Sequence, residues 1–536
     1  MTTHEVSNQA PPLVDYDLAS ADPLLLGAVS EGAGWAIPKL TEFGRQLARA
    51  ESYQWATDAN RYPPQLRTHD RYGHRIDQVD FHPSWHQLME RAVGNGLHSL
   101  PWEGTTQPGG HLARAAFAFL DNQIEAGHLC PISMTYAVVP ALAHEPDLAA
   151  VWTPQILTRS YDPSFAPMEK KTGVLIGMGM TEKQGGSDVR ASTSRAEPVA
   201  EGYRIFGHKW FTSAPMNDAF LVLAQAPGGL SCFLLPRHLP DGNVNEIRIM
   251  RLKDKLGNRS NASAELEFEG AFGQLVGDEG RGIATIIEMV NGTRLDCIIG
   301  SAALMRQAVS QAVHHCRYRK AFGSALIDKP AMINVLADLE IETEAAVLLM
   351  ARVAQTFDRI DDEREQSLRR LLTPVAKFLV TKRCTEVVHE ALECLGGNGY
   401  VEESVMPRLL RESPLNAIWE GSGNVIALDV LRAIRTNPES VTLLEEEVSG
   451  FDARIDAAAR STFALVSELD DPEGQARLVT EKLGTILEAA LLAQSAEKAV
   501  TNAFVDSRLE GGGARLYGTL PRTKDLSSIV ERAIPG

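Results

Sequence analysis

Export signals, membrane spans and metal-ligand patterns are all missing from these 536 residues. The stretch from Met1 to Leu13 holds neither a basic segment nor an apolar one, which argues against export and predicts a cytoplasmic location. No apolar run reaches the ~18 residues that a membrane-spanning helix needs. Cys130, Cys232, Cys297, Cys316, Cys384 and Cys394 are scattered without C-x-x-C spacing, and four of them fall in helix-like apolar patterns, where reduced, buried thiols are expected. The histidines show no H-E-x-x-H pattern, and no metal site is expected. Positive charge is short too: 52 Lys and Arg stand against 69 Asp and Glu, a net charge of −17 at pH 7. That sign opposes a general affinity for phosphate backbones or anionic membranes. Internal repeats and low-complexity tracts are also lacking.

What is present reads as a soluble globular chain, 44% hydrophobic and 23% charged. Its length exceeds one core, so about two to four domains are expected. Residues 1–175 read as a mostly helical domain after a Pro-containing arm, with helical spacing over 39–50, 84–98 and 111–126. From 176 to 280 the period drops to two. Tyr203–Phe211, Ala219–Gln225, Ser231–Leu235, Ile247–Leu252 and Ala264–Phe268 form a set of predicted strands. Helical spacing returns over 281–440: Leu304, Ala308, Ala312 and Cys316 mark one helix, Val335, Leu339, Val347 and Met350 a second, and Leu371, Val375, Phe378 and Leu379 a third. Pro374 predicts a kink or a helix start in that third pattern. Residues 441–536 form a further helical extension, broken near Gly511-Gly512-Gly513. The expected fold is α+β and multidomain, with a helical bundle after the β domain.

Several short segments carry candidate chemistry. Gly179–Asp188 reads GMTEKQGGSD: Gly185 and Gly186 permit close backbone approach, and Thr181 and Ser187 supply hydroxyls. Phe211-Thr212-Ser213 ends a strand, with Trp210 one step earlier. Arg319, in Arg319–Gly323 (RKAFG), reads by itself as a charge near a helix C-terminus. Gly396–Tyr400 (GGNGY) is a helix stop, since Gly tolerates left-handed dihedrals. Glu420 follows Ile418 and Trp419 and precedes Gly421-Ser422-Gly423-Asn424, at what reads as a helix start with Ser422 or Asn424 as cap.

Taken together these segments resemble the acyl-CoA dehydrogenase superfamily. The resemblance implies an N-terminal helical domain, a central β domain and a C-terminal four-helix bundle, holding non-covalent FAD. It places Met180, Thr181, Gly186 and Ser187 on the flavin, with Phe211, Thr212 and Ser213 against its ring. It assigns Arg319 to a pyrophosphate and Phe322 to packing beside the cofactor across a subunit boundary. Gly396 and Gly397 would approach the partner subunit's cofactor, and Ser422 and Asn424 would also lie on the cofactor. Arg294 would lie at the substrate, and Met134 and Thr135 are candidates for the acyl pocket, with core packing as their alternative. Glu420 matches the catalytic base. A subset of the superfamily carries its glutamate one residue before the arginine matching Arg294, where this chain has Thr293. The implied chemistry is α-proton abstraction by Glu420 with β-hydride transfer to the flavin. The α-proton of a thioester needs a desolvated carboxylate and a polarised carbonyl. Implied partners are an acyl-CoA, an electron-transfer flavoprotein or similar acceptor, and further copies of the chain in a homotetramer built as a dimer of dimers.

The T-E-K-Q-G-G-S-D motif, Asp254–Ser263 (DKLGNRSNAS), Ile418–Asn424 and the extension of about a hundred residues resemble the AidB-type branch, which is linked to the adaptive response to DNA alkylation. That branch brings an alternative: a DNA-binding protective protein with weak or vestigial dehydrogenase activity. Its DNA binding is attributed to basic residues of the extension. Residues 441–536 here hold 10 Lys and Arg against 16 Asp and Glu, with no basic run. The enzyme reading is therefore favoured over DNA. Arg477, Arg508, Arg515, Arg522, Lys524 and Arg532 are the cations whose convergence would reverse it.

Overall fold

The computed structural model describes residues 3–104, 107–468, 471–521 and 525–535. The chain divides into two compact units. A β unit comprises residues 51–104 and 125–296, and a helical unit comprises 3–50, 107–124 and 297–535.

Seven strands make the main sheet of the β unit. After an antiparallel hairpin of β1 (Gln65–His69) and β2 (Arg75–Asp80) come β3 (Ile176–Gly179), β4 (Arg195–Val199), β5 (Gly202–Ser213), β6 (Ala219–Ala226), β7 (Gly229–Pro236), β8 (Ile247–Leu252) and β9 (Ser263–Leu275). Pairing runs β3-β6-β4-β5-β9-β7, and a further β6–β7 pairing closes the ring, with β8 on β9. A closed ring leaves few exposed edges. Inside it Ile205, Val222, Phe233, Leu235, Ile249 and Leu266 pack as one core. Five of these strands follow the sequence expectation. The hairpin β1–β2 and the short β3 and β4 were not expected: β1 alternates only between exposed and half-buried, β3 is four residues long with no alternation, and β4 buries one residue, so none of these three gives an apolar period.

In the helical unit, Pro330–Asp358 and Glu363–Cys394 pack against each other, and Pro472–Ser495 of the extension packs on both. Pro330 takes the first helical position, where its missing N–H costs nothing. Pro374 does not start a helix: the helix begins at Glu363 and continues through it to Cys394. The long helix Gly282–Tyr318 belongs to the β unit up to Asp296 and to the helical unit from Cys297. All six cysteines are buried and free. No helix of the described residues is long and apolar enough to cross a membrane.

Four acids on Pro330–Asp358, Asp338, Glu340, Glu342 and Glu344, are buried. Arginines reach them from elsewhere in the unit. Arg306 bridges Glu340 and Asp22, Arg508 takes Asp338 at 2.6 Å and Glu342 at 3.0 Å, and Arg532 takes Glu344 at 2.6 Å. Two of the six cations singled out in the extension therefore face inward. Arg477 lies over the Phe378 ring at 5.6 Å. Arg515 is exposed. Arg522 and Lys524 lie outside the described residues.

Candidate active site

In the β unit the segment after β3 folds back on itself. Glu182 and Gly185 exchange backbone hydrogen bonds, and Gly185 has φ +147°, which suits glycine. Gly186 lies so close to Thr181 that a Cβ there would fall 2.4 Å from the Thr181 Oγ1. The side chain of Glu182 points inward. It accepts from Thr193 and Ser194 backbone N–H groups and from Lys209 Nζ at 2.9 Å, with both side chains fully buried. Burial works against the Glu182 carboxylate, yet Lys209 and these donors hold it well below the usual range. Lys209 also donates to Leu223 O at 2.8 Å, and Trp210 N to Thr181 O at 2.8 Å, so β5 ties down the whole turn. Thr181 and Gly186 stay partly accessible and Ser187 is exposed.

At the end of β5 the pairing with β9 is irregular between Lys209 and Thr212. That bulge buries both Lys209 and Thr212 and leaves Phe211 53% exposed. Lys253 Nζ sits 3.3 Å from the Trp210 ring centroid and 4.7 Å from that of Phe211. Thr212 is fully buried, and its hydroxyl finds no partner among the described residues. The next residue after Ser213, Ala214, has φ +48° and donates its N–H to Ala262 O. Asp254–Ser263 braces that turn: Lys255 Nζ donates to Asn261 O and Ser263 Oγ, and Asn261 Nδ2 to Asn258 Oδ1. A cradle of slender backbone, an exposed ring and an unengaged buried hydroxyl suit a flat cofactor edge carrying polar atoms.

The other substrate candidates of this unit are buried. Thr135 donates to Pro131 O at 2.7 Å and accepts from Ile176 N at 3.0 Å, which ties its helix to β3. Met134 is 4% exposed and Arg294 6%. Thr293 returns its hydroxyl to Val290 O of its own helix.

The helical unit holds Glu420. Its φ is +57°, a left-handed conformation that costs an ordinary residue about 1–2 kcal/mol. Lys377, 1% exposed on the helix Glu363–Cys394, reaches across: its Nζ donates to Trp419 O at 2.9 Å and to Gly421 O at 2.6 Å. An ammonium thus holds the carbonyls on either side of Glu420, and charge-assisted bonds of this kind offset the strain. Trp419 Nε1 donates to Asn416 Oδ1 at 2.8 Å, which orients the ring. Gly421 has φ +108°. Ser422 is the N-cap of Gly423–Thr436, but its hydroxyl makes no capping bond, and both Ser422 and Asn424 are exposed.

Two further motif segments of this unit are exposed. After Tyr318 the chain makes a hairpin, β10 (Lys320–Ala321) with β11 (Ser324–Ala325), turned by Phe322 at φ +49° and Gly323 at φ +84°. Phe322 is 99% exposed. The guanidinium of Arg319 donates to Asn8 O at 2.6 Å, and Asn8 brackets the Lys320 backbone. Gly396, at φ +59°, ends the long helix, and Gly397–Tyr400 makes one turn that leaves Tyr400 exposed. Of seven non-glycine residues with positive φ among the described residues, four (Ala214, Asn258, Phe322 and Glu420) fall in or beside motif segments, and Asn8, Asp15 and Asp77 lie elsewhere in the sequence.

Comparison with known proteins agrees with this distribution. Residues 8–163 match the adaptive response protein AidB N-terminal domain, 177–271 the acyl-CoA dehydrogenase middle domain, and 280–435 the acyl-CoA dehydrogenase C-terminal domain. AidB of Escherichia coli (strain K12) is 47% identical over 522 residues, 96% of each chain. The chain belongs to the acyl-CoA dehydrogenase family, in its AidB-type branch. Among solved structures, Caenorhabditis elegans ACDH-11 in complex with C11-CoA superimposes with a TM-score of 0.86 at 26% identity, covering 99% of this chain and 96% of that one. An acyl-CoA dehydrogenase from Bacillus anthracis, complexed with FAD, shares the fold with a TM-score of 0.64 at 17% identity, over 84% of this chain and 79% of that one. For an acyl-CoA dehydrogenase family member, the residues missed in the sequence are Lys209 and Lys377. A lysine inside an apolar period was the available signal in both cases, since a buried ammonium must have partners.

Proposed function

We propose that the protein is an FAD-dependent oxidoreductase of the acyl-CoA dehydrogenase type, with Glu420 as the base. The observation that carries this reading is the Lys377 clamp, which holds Glu420 in a left-handed conformation between two engaged carbonyls. Backbone strain of this kind clusters at functional sites.

Thr181, Gly186, Ser187, Thr212 and Ser213, with the Phe211 ring, are the residues that would hold FAD in the β unit, and the partly accessible Thr181 and Gly186, the exposed Ser187 and the unengaged Thr212 hydroxyl fit such a group. Bound FAD supplies the acceptor for the hydride that leaves the β-carbon. Glu420 takes the proton from the α-carbon of the thioester, and the two departures leave a carbon–carbon double bond. Lys377 keeps the carboxylate in place without touching substrate. Arg319 and the exposed Phe322 and Tyr400 serve a subunit boundary, consistent with an aromatic ring 99% exposed at a hairpin tip. Electrons leave to an electron-transfer flavoprotein or similar acceptor.

The DNA-protection reading loses support from the extension, because Arg508 and Arg532 are engaged with buried acids instead of forming an outward patch. The test is anaerobic. Straight- and branched-chain acyl-CoAs added to the purified yellow protein should bleach its flavin absorbance. A flavin-loaded protein that none of them reduces would leave the dehydrogenase reading untenable.

A further inference from the structure

Residues 3–12 form an arm without helix or strand, exposed or half-buried along its length, ahead of the buried Leu13. The arm touches three segments of the helical unit that are far from it in sequence. His314, near the end of the long helix, donates from Nε2 to Pro11 O at 2.8 Å. Asn398, in the turn Gly397–Tyr400, donates from Nδ2 to Gln9 Oε1 at 3.5 Å. Asn8 lies on the hairpin β10–β11.

Both edges of the Asn8 side-chain amide are engaged there. Its Oδ1 accepts from Lys320 N at 2.7 Å and its Nδ2 donates to Lys320 O at 2.9 Å, the pairing that a neighbouring strand would offer. Its φ is +56°, a left-handed value that asparagine adopts more readily than most residues. With the residue fixed in this way, its carbonyl accepts from Arg319 Nη1 at 2.6 Å. That carbonyl is the one partner of the guanidinium among the described residues. Other arginines of the unit differ, since Arg306, Arg352, Arg508 and Arg532 each hold carboxylates. A carboxylate neutralises a guanidinium, whereas a neutral carbonyl orients it and leaves its charge unmatched. Held by one bond, the planar fork of Arg319 keeps its other donors for an anion.

We propose that Asn8 is a positioning residue for the cofactor: its carbonyl presets the Arg319 guanidinium to receive the diphosphate of FAD. The inference rests on the FAD-dependent reading above and adds to it a residue 311 positions away from the arginine it serves. Asn8 acts through Arg319 alone. It removes the rotamer search that a long side chain would otherwise give up on binding.

Titration of the flavin-free full chain with FAD, followed by flavin fluorescence, tests the assignment. Arg319→Ala should raise the Kd about 10–100-fold, the worth of a hydrogen bond to a charged group. Asn8→Ala should raise it about 3–10-fold, but by less than about twofold when added to Arg319→Ala, because the two residues act in series. Asn8→Asp keeps the acceptor for Lys320 N and puts a carboxylate beside Arg319. It should weaken FAD binding more than Asn8→Ala does, and the excess should shrink as salt rises, which a purely structural role would not produce. Asn8 is exposed, so the flavin-free melting temperature of its variants should match that of the parent. Unchanged affinity in Asn8→Ala, or the same loss with and without Arg319, overturns the inference and leaves the Arg319 assignment standing. Tighter binding by Asn8→Ala overturns it as well, since the arm would then shield Arg319. Unchanged affinity in Arg319→Ala sinks that assignment and the inference together, and a chain that binds no FAD refutes the reading on which both rest.

Discussion

Lys209 in the β unit and Lys377 in the helical unit are each 1% exposed, and each uses its ammonium to hold a motif segment. Their partners differ. Lys209 meets a carboxylate, Glu182, and two carbonyls, those of Leu223 and, more distantly at 3.4 Å, Met180. Lys377 meets the carbonyls of Trp419 and Gly421, on either side of Glu420. The first device stabilises a fold: charge is balanced inside the sheet, and the turn above is left with its backbone and hydroxyls facing outward. The second holds a strained backbone: the carbonyls on either side of Glu420 are gathered on the ammonium, and the residue between them keeps its left-handed conformation. The same kind of side chain thus holds two different motif segments.

The largest effect should come from Glu420→Gln. Loss of a positioned base lowers the rate of flavin reduction by an acyl-CoA about 10²–10⁴-fold, while FAD content stays normal. Near-normal reduction by this variant in stopped flow would move the base elsewhere and leave Lys377 a purely structural clamp.

Lys209→Met should break the other half of the comparison. Removing one partner of a buried pair leaves Glu182 uncompensated, at about 3–5 kcal/mol of stability. Urea unfolding measures it, and FAD content should fall together with stability. A variant as stable as the parent would mean that Glu182 finds other compensation and that the pair does not hold the turn.

Lys377→Met separates the two devices most directly. Its effect should appear in kcat, about 10–100-fold, with KM little changed and FAD retained, because only the aim of Glu420 is disturbed. If stability falls and the rate of the folded remainder does not, the lysine acts like Lys209.

The smallest effect concerns the acids beneath the extension, which have both kinds of partner at once. Burial, and then the neighbouring Glu340, push Glu344 up to about 8, against the pull of Arg532 and Arg306. A carboxyl with a raised folded pKa binds more protons folded than unfolded between its ordinary value and about 8. Stability should therefore fall as pH rises through that window and level off above it. We expect the melting temperature to drop by about 2–4 °C between pH 6.5 and 8.5, measured by calorimetry. Glu344→Gln should flatten that slope; an unchanged slope would assign it to another group.

Much of this architecture was legible in advance because it is encoded locally. Leu304, Ala308, Ala312 and Cys316 repeat every four residues and are all buried on one long helix. Ile247–Leu252 begins and ends where its apolar alternation does. Pro374 does not start its helix, because the helix is already packed there: Thr373, Pro374 and Val375 are all buried. The hairpin β1–β2 was invisible because pairing between two polar strands leaves no hydrophobic period. At the site, the glycines, hydroxyls and Glu420 were legible as motif positions, but the bulge that exposes Phe211 was not, because it arises from pairing with β9.

By itself, the sequence determined the order of helical and β segments and the family, and it singled out Glu420 as the candidate base. Those properties are written in runs of about ten neighbouring residues, within reach of helical and strand periods. Only the tertiary structure decided what the charges do. Lys377 finds its carbonyls 42 and 44 residues away, and Arg532 finds Glu344 across 188. Electrostatic partnership is set by separations of a few ångströms in a poorly screening interior, and distance along the chain carries no information about it. A sum of charges over residues 441–536 could count the arginines, but only folding turned Arg508 and Arg532 inward.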